Sequence, residues 1–323
     1  MVRRMDRSRI GSLFPLCKNV AQMLRKMYNK SWYGMESHMV TKGETLLMKK
    51  TVWVTGASSG LGNATAKAFA AAGWQVIGGA RSFGNDSPGS DDDFHRLTLD
   101  VTSPESCETF VKNALAISPR VDALVCAAAV LVLGSCENTS CGEYSRVMET
   151  NFVGMARMVQ HALPLMRQQM SGRIILFSSI NGLLGIPFQS AYTASKHAME
   201  GYAECLAMET RRFGVQVCLV EPGDHRGGSD HTRLHAANEG DGSPYQAAYE
   251  SACTAIHRDE SGGLAPEALG QKVVRNAQRK RMHFRLRVAK IDQHLAVWLH
   301  RYLPNWVNSL ILRNYYGADK ANH

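Results

Sequence analysis

The amino-acid sequence predicts an α/β protein: a doubly wound parallel sheet of the Rossmann type, with helices on both faces and a helical N-terminal extension. From Thr51 onward, short apolar segments typical of strands alternate with longer helical segments, as they do in parallel sheets covered by helices. A glycine-rich turn separates the first strand from an alanine-rich helix. The chain has 323 residues, 45% of them apolar, which is enough for one large domain of this class.

The predicted elements follow one another in a regular order. Ser103 and Pro104 indicate a helix start, because serine caps helix N-termini and proline is tolerated in the first turn. The predicted strands are 51–55, 74–80, 94–99, 121–128, 173–177, 215–220 and 281–288. The predicted helices run to residue 72 and then cover 103–117, 141–152, 153–170, 191–213 and 264–280.

Two segments near the C-terminus depart from this alternation. Residues 223–262 contain several glycines and histidines and few periodic apolar positions, so we expect a mobile lid with short helices. Residues 290–312 are amphipathic and rich in aromatic side chains. We therefore expect two parts, a basic helical extension over 1–48 and a single domain over 49–323.

The extension carries most of the charge. Residues 1–50 contain eleven Lys and Arg and three acidic residues, which accounts for +8 of the net charge of +9. The nearly neutral remainder argues against nucleic-acid binding. Apolar residues between Leu16 and Met27 recur at helical spacing, which favours a helix packed on its own domain or on a partner subunit. A basic helix on a membrane surface and translation from Met39 or Met48 are the alternatives.

Composition also limits the compartment. The eight cysteines are scattered, several within apolar runs, which indicates free thiols in a reducing cytoplasm. Their spacing predicts no metal site. No apolar run approaches the roughly 20 residues that span a bilayer, and no signal peptide is recognisable. We therefore expect a cytoplasmic protein without membrane contact.

The glycine-rich turn predicts a dinucleotide site. It follows the first strand and opens a helix, so backbone N–H groups and the positive helix end can face a pyrophosphate. Glycine lets the backbone approach that group closely. The segment is Gly56-Ala57-Ser58-Ser59-Gly60-Leu61-Gly62.

The choice between NAD and NADP stays open in the sequence. No acidic residue ends the second strand, where a carboxylate would receive the ribose hydroxyls. Arg81 stands there instead and could pair with a 2′-phosphate. Asp86, in the following loop, could serve the ribose.

A tyrosine and a lysine predict acid/base chemistry. Tyr192 and Lys196 lie four residues apart in a predicted helix, on one face. An ammonium beside a phenol is expected to lower the tyrosine pKa, which suits proton exchange with an alcohol oxygen. Ser178 and Ser179 end the fifth predicted strand, where a hydroxyl could bind the reacting oxygen.

In this combination and order, the motifs resemble the short-chain dehydrogenase/reductase family over residues 51–223. The resemblance implies a hydride transfer between NAD(H) or NADP(H) and a secondary alcohol or ketone. It implies that Ser179 orients the carbonyl, Tyr192 transfers the proton, Lys196 binds the nicotinamide ribose and Asn151 holds a proton-relay water. The cofactor would contact Gly56, Ser58, Ser59, Gly60, Leu61, Gly62, Arg81, Asp100, Val101, Tyr192, Lys196, Pro222 and Gly223.

One segment departs from the family pattern. Cys126-Ala127-Ala128-Ala129 stands where the family usually has Asn-Asn-Ala-Gly, which removes an amide near the cofactor. The stretch after Ser179 is apolar, and the 223–262 lid and the aromatic C-terminus add potential pocket wall, which together suit a bulky lipophilic substrate. Residues 179–221 resemble hydroxysteroid dehydrogenases, and the whole chain, with its long N-terminal extension, resembles bacterial 20β-hydroxysteroid dehydrogenases. This similarity implies a hydroxysteroid, with the 20β-hydroxy/20-keto position as a finer expectation.

Other functions stay open at this stage. They are a 3-oxoacyl or general carbonyl reductase and, in a different class, a non-catalytic dinucleotide sensor or scaffold. The family resemblance also implies a homodimer or homotetramer built through the long helices.

Overall fold

A computed structural model describes residues 49–84, 93–227, 233–240 and 242–320. The predictions made for the extension 1–48, for Asp86 and for the middle of the 223–262 segment lie outside these ranges. Within them, the expected doubly wound α/β fold is confirmed.

Seven strands form one parallel sheet in the order β3-β2-β1-β4-β6-β7-β9, and two short strands, β5 and β8, pair separately in parallel. The order reverses direction beside β1, which places a crevice at the carboxyl ends of the strands. The strands are β1 (Thr51–Thr55), β2 (Gln75–Ala80), β3 (Phe94–Thr98), β4 (Ala123–Cys126), β5 (Leu131–Leu133), β6 (Gly172–Phe177), β7 (Val215–Pro222), β8 (Arg233–His235) and β9 (Arg285–Val288).

Helices cover both faces of the sheet. We number those in the described ranges α1 (Gly60–Ala71), α2 (Pro104–Ile117), α3 (Cys141–Met148), α4 (Gly154–Gln168), α5 (Ser190–Thr210), α6 (Gln246–Ser261), α7 (Pro266–Ala277), α8 (Ile291–Tyr302) and α9 (Asn305–Tyr316). Ser103 caps α2 as predicted, its hydroxyl accepting a hydrogen bond from the Ser106 backbone N–H at 3.1 Å.

The core consists of two apolar layers, one on each face of the sheet. Successive side chains of a strand point to opposite faces, so β1 contributes to both layers. Trp53 packs edge-to-face on Phe110 in one layer. Val52 and Val54 pack with Phe69 in the other. All five side chains are fully buried.

The lid prediction was wrong in one respect. Residues 246–261 form a 16-residue helix rather than short helices. Its buried face consists of Ala248, Ala252, Ala255 and Ile256. Alanine gives a weak hydropathy signal, so the helical period of this face was not recognised in the sequence.

Two details of the helices were not predicted. The segment 290–312 forms two helices, because Leu303 is extended and Pro304 begins a new helix instead of continuing the first. Between α3 and α4, residues Glu149–Val153 form a π-helical turn. Such turns are frequent at functional sites.

Candidate active site

A cleft of about 280 Å³ opens at the carboxyl ends of β1, β4, β6 and β7. The sequence placed most of its candidate site residues at or just after the carboxyl ends of the parallel strands. All but one of the candidate residues line this cleft. Those that do are Gly56, Ser58, Ser59, Gly60, Leu61, Gly62, Arg81, Asp100, Val101, Ser179, Tyr192, Lys196, Pro222 and Gly223.

The glycine turn has no room for side chains. Gly56 has a left-handed φ of +68°, and a Cβ there would lie 2.8 Å from the backbone of Ala128. A Cβ on Gly62 would lie 2.2 Å from the carbonyl oxygen of Gly56. Ser59 is the N-cap of α1, but its side chain caps no backbone N–H. The turn is therefore a cradle in which the first N–H groups of α1 can receive an anionic group.

The Cys126–Ala129 segment is held by a threonine at the end of β1. The Thr55 hydroxyl accepts hydrogen bonds from the backbone N–H groups of Ala127 and Ala128, at 3.1 and 3.2 Å. Ala127, Ala128 and Ala129 line the cleft. Thr55 therefore fixes the backbone here, although the segment lacks the amides usual in the family.

At the far end of the cleft, β2 and β3 present Arg81 and Asp100. Partial burial acts to raise the pKa of Asp100, but hydrogen bonds from Thr102 and the charges of Arg81 and Arg157 hold that pKa below its usual value. The Thr102 hydroxyl donates to the carboxylate at 2.7 Å. An exposed cation and an ionised carboxylate thus stand together at the predicted adenosine end.

The three predicted catalytic residues in the cleft come from two neighbouring elements. Ser179 directly follows β6, and Tyr192 and Lys196 lie in the first turns of α5. Lys196 is buried, and its Nζ donates to the carbonyl of Phe177 at 2.6 Å and lies 5.2 Å from the Tyr192 ring centroid. The Ser179 hydroxyl bonds to the backbone N–H and side-chain oxygen of Asn181, both at 3.2 Å.

The expected lowering of the tyrosine pKa is not found. Burial raises the pKa of Tyr192 to about 12; the Ser179 hydroxyl acts against this and the Glu260 charge adds to it. Burial lowers the pKa of Lys196 to about 8, while Glu200 acts to raise it. The prediction considered only the ammonium and omitted burial, which disfavours both charged forms. At neutral pH the phenol therefore carries its proton and can donate it.

Asn151 is the one predicted catalytic residue that does not line the cleft. It lies fully buried in the π-helical turn. Its side-chain amide donates to the Val130 carbonyl at 2.9 Å and to the Ser195 hydroxyl at 3.0 Å, and its oxygen accepts from the Val130 N–H at 2.8 Å. Both N–H bonds of the Asn151 amide are used in these contacts, so the side chain holds the Val130 backbone in place beside the cleft. Holding a proton-relay water stays a prediction for this residue.

The structure identifies individual side chains at the substrate end, in the 223–262 lid and the aromatic C-terminal segment that the sequence predicts as pocket wall. They come from the loop after β7, from α6 and from the end of α9, and no motif singled them out one by one. These side chains are Asp224, His225, Ile256, Asp259, Glu260 and Tyr316. They form the end of the cleft beyond Tyr192, where a substrate would lie.

A glycine cradle and a Ser-Tyr-Lys group in one cleft define an NAD(P)-dependent alcohol dehydrogenase or ketone reductase. A model described as short chain dehydrogenase matches residues 50–236. The chain belongs to this family, and its cofactor is NAD(H) or NADP(H).

Curated relatives agree with this assignment. A 3-ketodihydrosphingosine reductase of Bacteroides thetaiotaomicron is 34% identical over 270 residues, which cover 84% of this chain and 99% of the relative. Dehydrogenase/reductase SDR family member 7B of Xenopus laevis is 30% identical and covers 82% of this chain and 81% of the relative. These names differ from the bacterial 20β-hydroxysteroid dehydrogenases that the sequence resembles, so they support the family and not that subgroup.

Solved structures show the same architecture. A short-chain dehydrogenase from Streptomyces avermitilis superposes with a TM-score of 0.70 at 30% identity, over 83% of this chain and 98% of that one. A short chain dehydrogenase/reductase from Burkholderia phymatum, in complex with NAD, gives 0.67 at 22% identity, over 81% and 95%.

Proposed function

We propose that this protein interconverts a ketone and a secondary alcohol on a long lipophilic substrate, with Tyr192 as the proton donor and acceptor. The observation that carries the proposal is the meeting of Ser179, Tyr192 and Lys196 in the cleft that also contains the glycine cradle. A nicotinamide dinucleotide supplies or accepts the hydride when it is bound. Gly62 and the N-terminus of α1 suit its pyrophosphate.

The protein's own groups then act on the substrate oxygen. The Ser179 hydroxyl lines the cleft and donates a hydrogen bond to the Asn181 side-chain oxygen. Rotated towards a bound substrate, the hydroxyl donates to the carbonyl instead, which orients the carbonyl and stabilises developing negative charge. The Tyr192 phenol, protonated at neutral pH, donates its proton to that oxygen as the alcohol forms. The Lys196 ammonium, anchored on Phe177, stabilises the phenolate left behind.

We favour a 3-keto sphingoid base over a steroid as the substrate class. The similarity to the Bacteroides 3-ketodihydrosphingosine reductase extends over nearly the whole of that relative. Ile186, Ile256 and Tyr316 supply apolar wall for a hydrocarbon chain. The same wall would suit a hydroxysteroid, which is the second candidate and rests on the sequence resemblance.

Acidic residues at the substrate end support an amino ketone. Asp259 and Glu260 lie in the last turn of α6. Carboxylates are unfavourable at the C-terminal end of a helix dipole, so these two side chains do not stabilise the helix. Glu260 is paired with Arg233, and Asp259 with Arg258 at 3.1 Å.

Asp224 differs from these two acids. Its carboxylate accepts a hydrogen bond from the Gln293 amide, and within the described residues no basic nitrogen lies within ion-pair distance of it. Burial and the charges of Asp259 and Glu260 raise the pKa of Asp224 to about 6, although Lys290 and Gln293 act to lower it. A carboxylate without its own cation suits the ammonium group beside the ketone of a 3-keto sphingoid base.

The test follows the absorbance of NADH and NADPH with purified protein and three ketones: 3-ketodihydrosphingosine, a 20-ketosteroid and a 3-oxoacyl thioester. We expect oxidation of one nucleotide with the sphingoid ketone. Tyr192→Phe should lower turnover by about 10²- to 10⁴-fold while the protein still binds the nucleotide. Tyr202→Phe, on the same helix but outside the cleft, is the control.

Each other outcome has a defined meaning. Turnover of the steroid alone would replace the substrate class and keep the mechanism. Unchanged turnover in Tyr192→Phe would refute the role of Tyr192. Nucleotide binding without turnover of any of the three ketones would favour a dinucleotide sensor.

A further inference from the structure

The last two helices expose an unusual concentration of large apolar side chains. Eleven such side chains are exposed in the described part of the chain, and eight of them lie on α8 and α9. We call these eight the apolar face. It consists of Ile291, Leu295, Trp298, Tyr302, Trp306, Leu310, Ile311 and Tyr315.

The pattern on α8 is regular. Ile291, Leu295, Trp298 and Tyr302 are spaced by four, three and four residues, so they form one stripe along the helix. Between 52% and 88% of each residue's surface is exposed. The helix also has a separate buried side, where Val297 packs against the core. Folding therefore uses one side of α8 and leaves the stripe free.

The same holds for α9, and its inner side reaches the active site. Leu312 and Tyr316 pack on the apolar cluster that follows Ser179. Tyr316 lines the cleft, and the neighbouring Tyr315 donates a hydrogen bond to Asp259 at 2.8 Å. The apolar face thus lies on two helices, of which α9 contributes Tyr316 to the substrate end of the cleft.

The chemistry of the face indicates what covers it. Four of its eight members are Trp or Tyr, side chains that are enriched where an apolar phase meets water. Residues 290–320 contain four Lys and Arg and two Asp, and one of those carboxylates, Asp319, is held by Arg313 at 2.8 Å. Arg301 and Lys320 are exposed, and so is the other carboxylate, Asp292. An apolar stripe with excess positive charge complements an anionic lipid surface.

We propose that the apolar face of α8 and α9 docks the enzyme on the surface of an anionic lipid bilayer, with the mouth of the substrate cleft beside the membrane. No helix in the described ranges is long and apolar enough to cross a bilayer. The choice of a bilayer rests partly on the proposed function, because a long-chain ketone dissolves in lipid and would enter the cleft from there. A second copy suits the face less well, since symmetric pairing brings its cations together.

This proposal reverses the sequence-based expectation of no membrane contact. That expectation used the length of apolar runs, which detects spanning segments only. A stripe on a short amphipathic helix has low mean hydropathy and escapes such a search. The exposure of each side chain in the folded protein supplies the missing information.

The experiment is flotation of the full-length protein with vesicles of phosphatidylcholine, with and without phosphatidylglycerol. The test variant is Trp298→Gln/Trp306→Gln, and the control is Met208→Gln, which removes an exposed apolar side chain from α5. High salt screens the attraction between the basic extension and anionic lipid. Vesicle binding that remains in high salt therefore reports apolar contact. We expect the wild type and the control to float with anionic vesicles, and the double variant to bind at least about tenfold more weakly.

The assay needs no turnover, so it separates this proposal from the proposed function. Equal flotation of the wild type and the double variant in high salt would overturn it. A second outcome would also overturn it: the wild type does not bind vesicles and is a dimer, whereas the double variant is a monomer. A second copy of the chain would then cover the apolar face. Reduction of a water-soluble ketone by the double variant at the wild-type rate confirms that the fold and the active site are intact.

Discussion

At the residue scale, Lys196 depends on a buried carboxylate one helical turn away. Glu200 lies on the same face of α5, buried, and is paired with Arg285 of β9. Arg285 also binds the fully buried Glu221 at 2.8 Å and the exposed Glu204 at 2.7 Å. The charge that favours the protonated lysine is therefore itself held in place by the last strand of the sheet.

Neutralising Glu200 should narrow the pH range of activity. Lys196 has a pKa of about 8 and must be protonated, so activity falls as pH rises through that value. Glu200→Gln removes a charge that raises this pKa. The alkaline limb of the kcat/KM profile should therefore move to lower pH, by about one unit. Glu204→Gln, which loses a contact to the same Arg285, should leave the limb in place. A lower melting temperature of Glu200→Gln with an unchanged profile would make Glu200 purely structural.

Asp224 offers a residue-scale test of substrate choice. Its pKa of about 6 means that the carboxylate is charged above that pH and neutral below it. Asp224→Asn should raise KM for 3-ketodihydrosphingosine by about tenfold, as expected for a lost charge-assisted hydrogen bond. KM for the N-acetylated ketone, which has no ammonium, should not change. In the wild type, the preference for the free amine should weaken as pH falls through 6. An equal rise in KM for both ketones would exclude amine recognition by Asp224.

At the element scale, the glycine turn joins β1 to α1 through a very close contact. Gly62→Ala places a Cβ against the carbonyl of Gly56, which should destabilise the protein by about 1–3 kcal/mol through overpacking. The displaced turn should also bind the nucleotide more weakly, measured by titration calorimetry. Gly201→Ala is the matched control, because its Cβ meets nothing within 4 Å and the site is an exposed helical position. That change should raise stability slightly. Unchanged stability and nucleotide affinity in Gly62→Ala would contradict this packing argument.

Elements were predictable from the sequence where their own residues determine them. The strand Thr51–Thr55 is a short apolar segment that ends at the glycine-rich turn, and Ser103 with Pro104 marks the start of α2. The pairing of β5 with β8 was not predictable, because it joins residues about 100 positions apart that have no motif. The position of Asn151 likewise follows from its hydrogen bonds to Val130 and Ser195, which only the folded chain brings together.

The candidate site also has a part that the sequence predicts, the nucleotide end, and a part that depends on the folded chain, the substrate end. The residues expected to contact the nucleotide stand mostly in motifs with fixed spacing, and the fold brings them together in one cleft. Their contact with the nucleotide stays a prediction. The substrate end is built from helix ends of the C-terminal half, such as Glu260 and Tyr316, and their approach to Tyr192 depends on the whole fold. The pKa of Tyr192 was predicted in the wrong direction for a related reason, because burial is a property of the assembled cleft.

At the scale of the whole molecule, most of the net positive charge lies in a part of the sequence that precedes the described strands and helices. The described strands and helices begin at Thr51, the family match begins at residue 50, and residues 1–50 carry +8 of the net charge. We therefore expect deletion of residues 2–47 to leave ketone turnover intact. If the extension reinforces an oligomer, as we infer, the deletion should also lower the melting temperature or the mass measured by analytical ultracentrifugation. Unchanged values of both, together with weaker vesicle binding at low salt only, would instead assign the extension to electrostatic attraction by lipid. Binding through α8 and α9 should persist in high salt, because apolar contact is not screened.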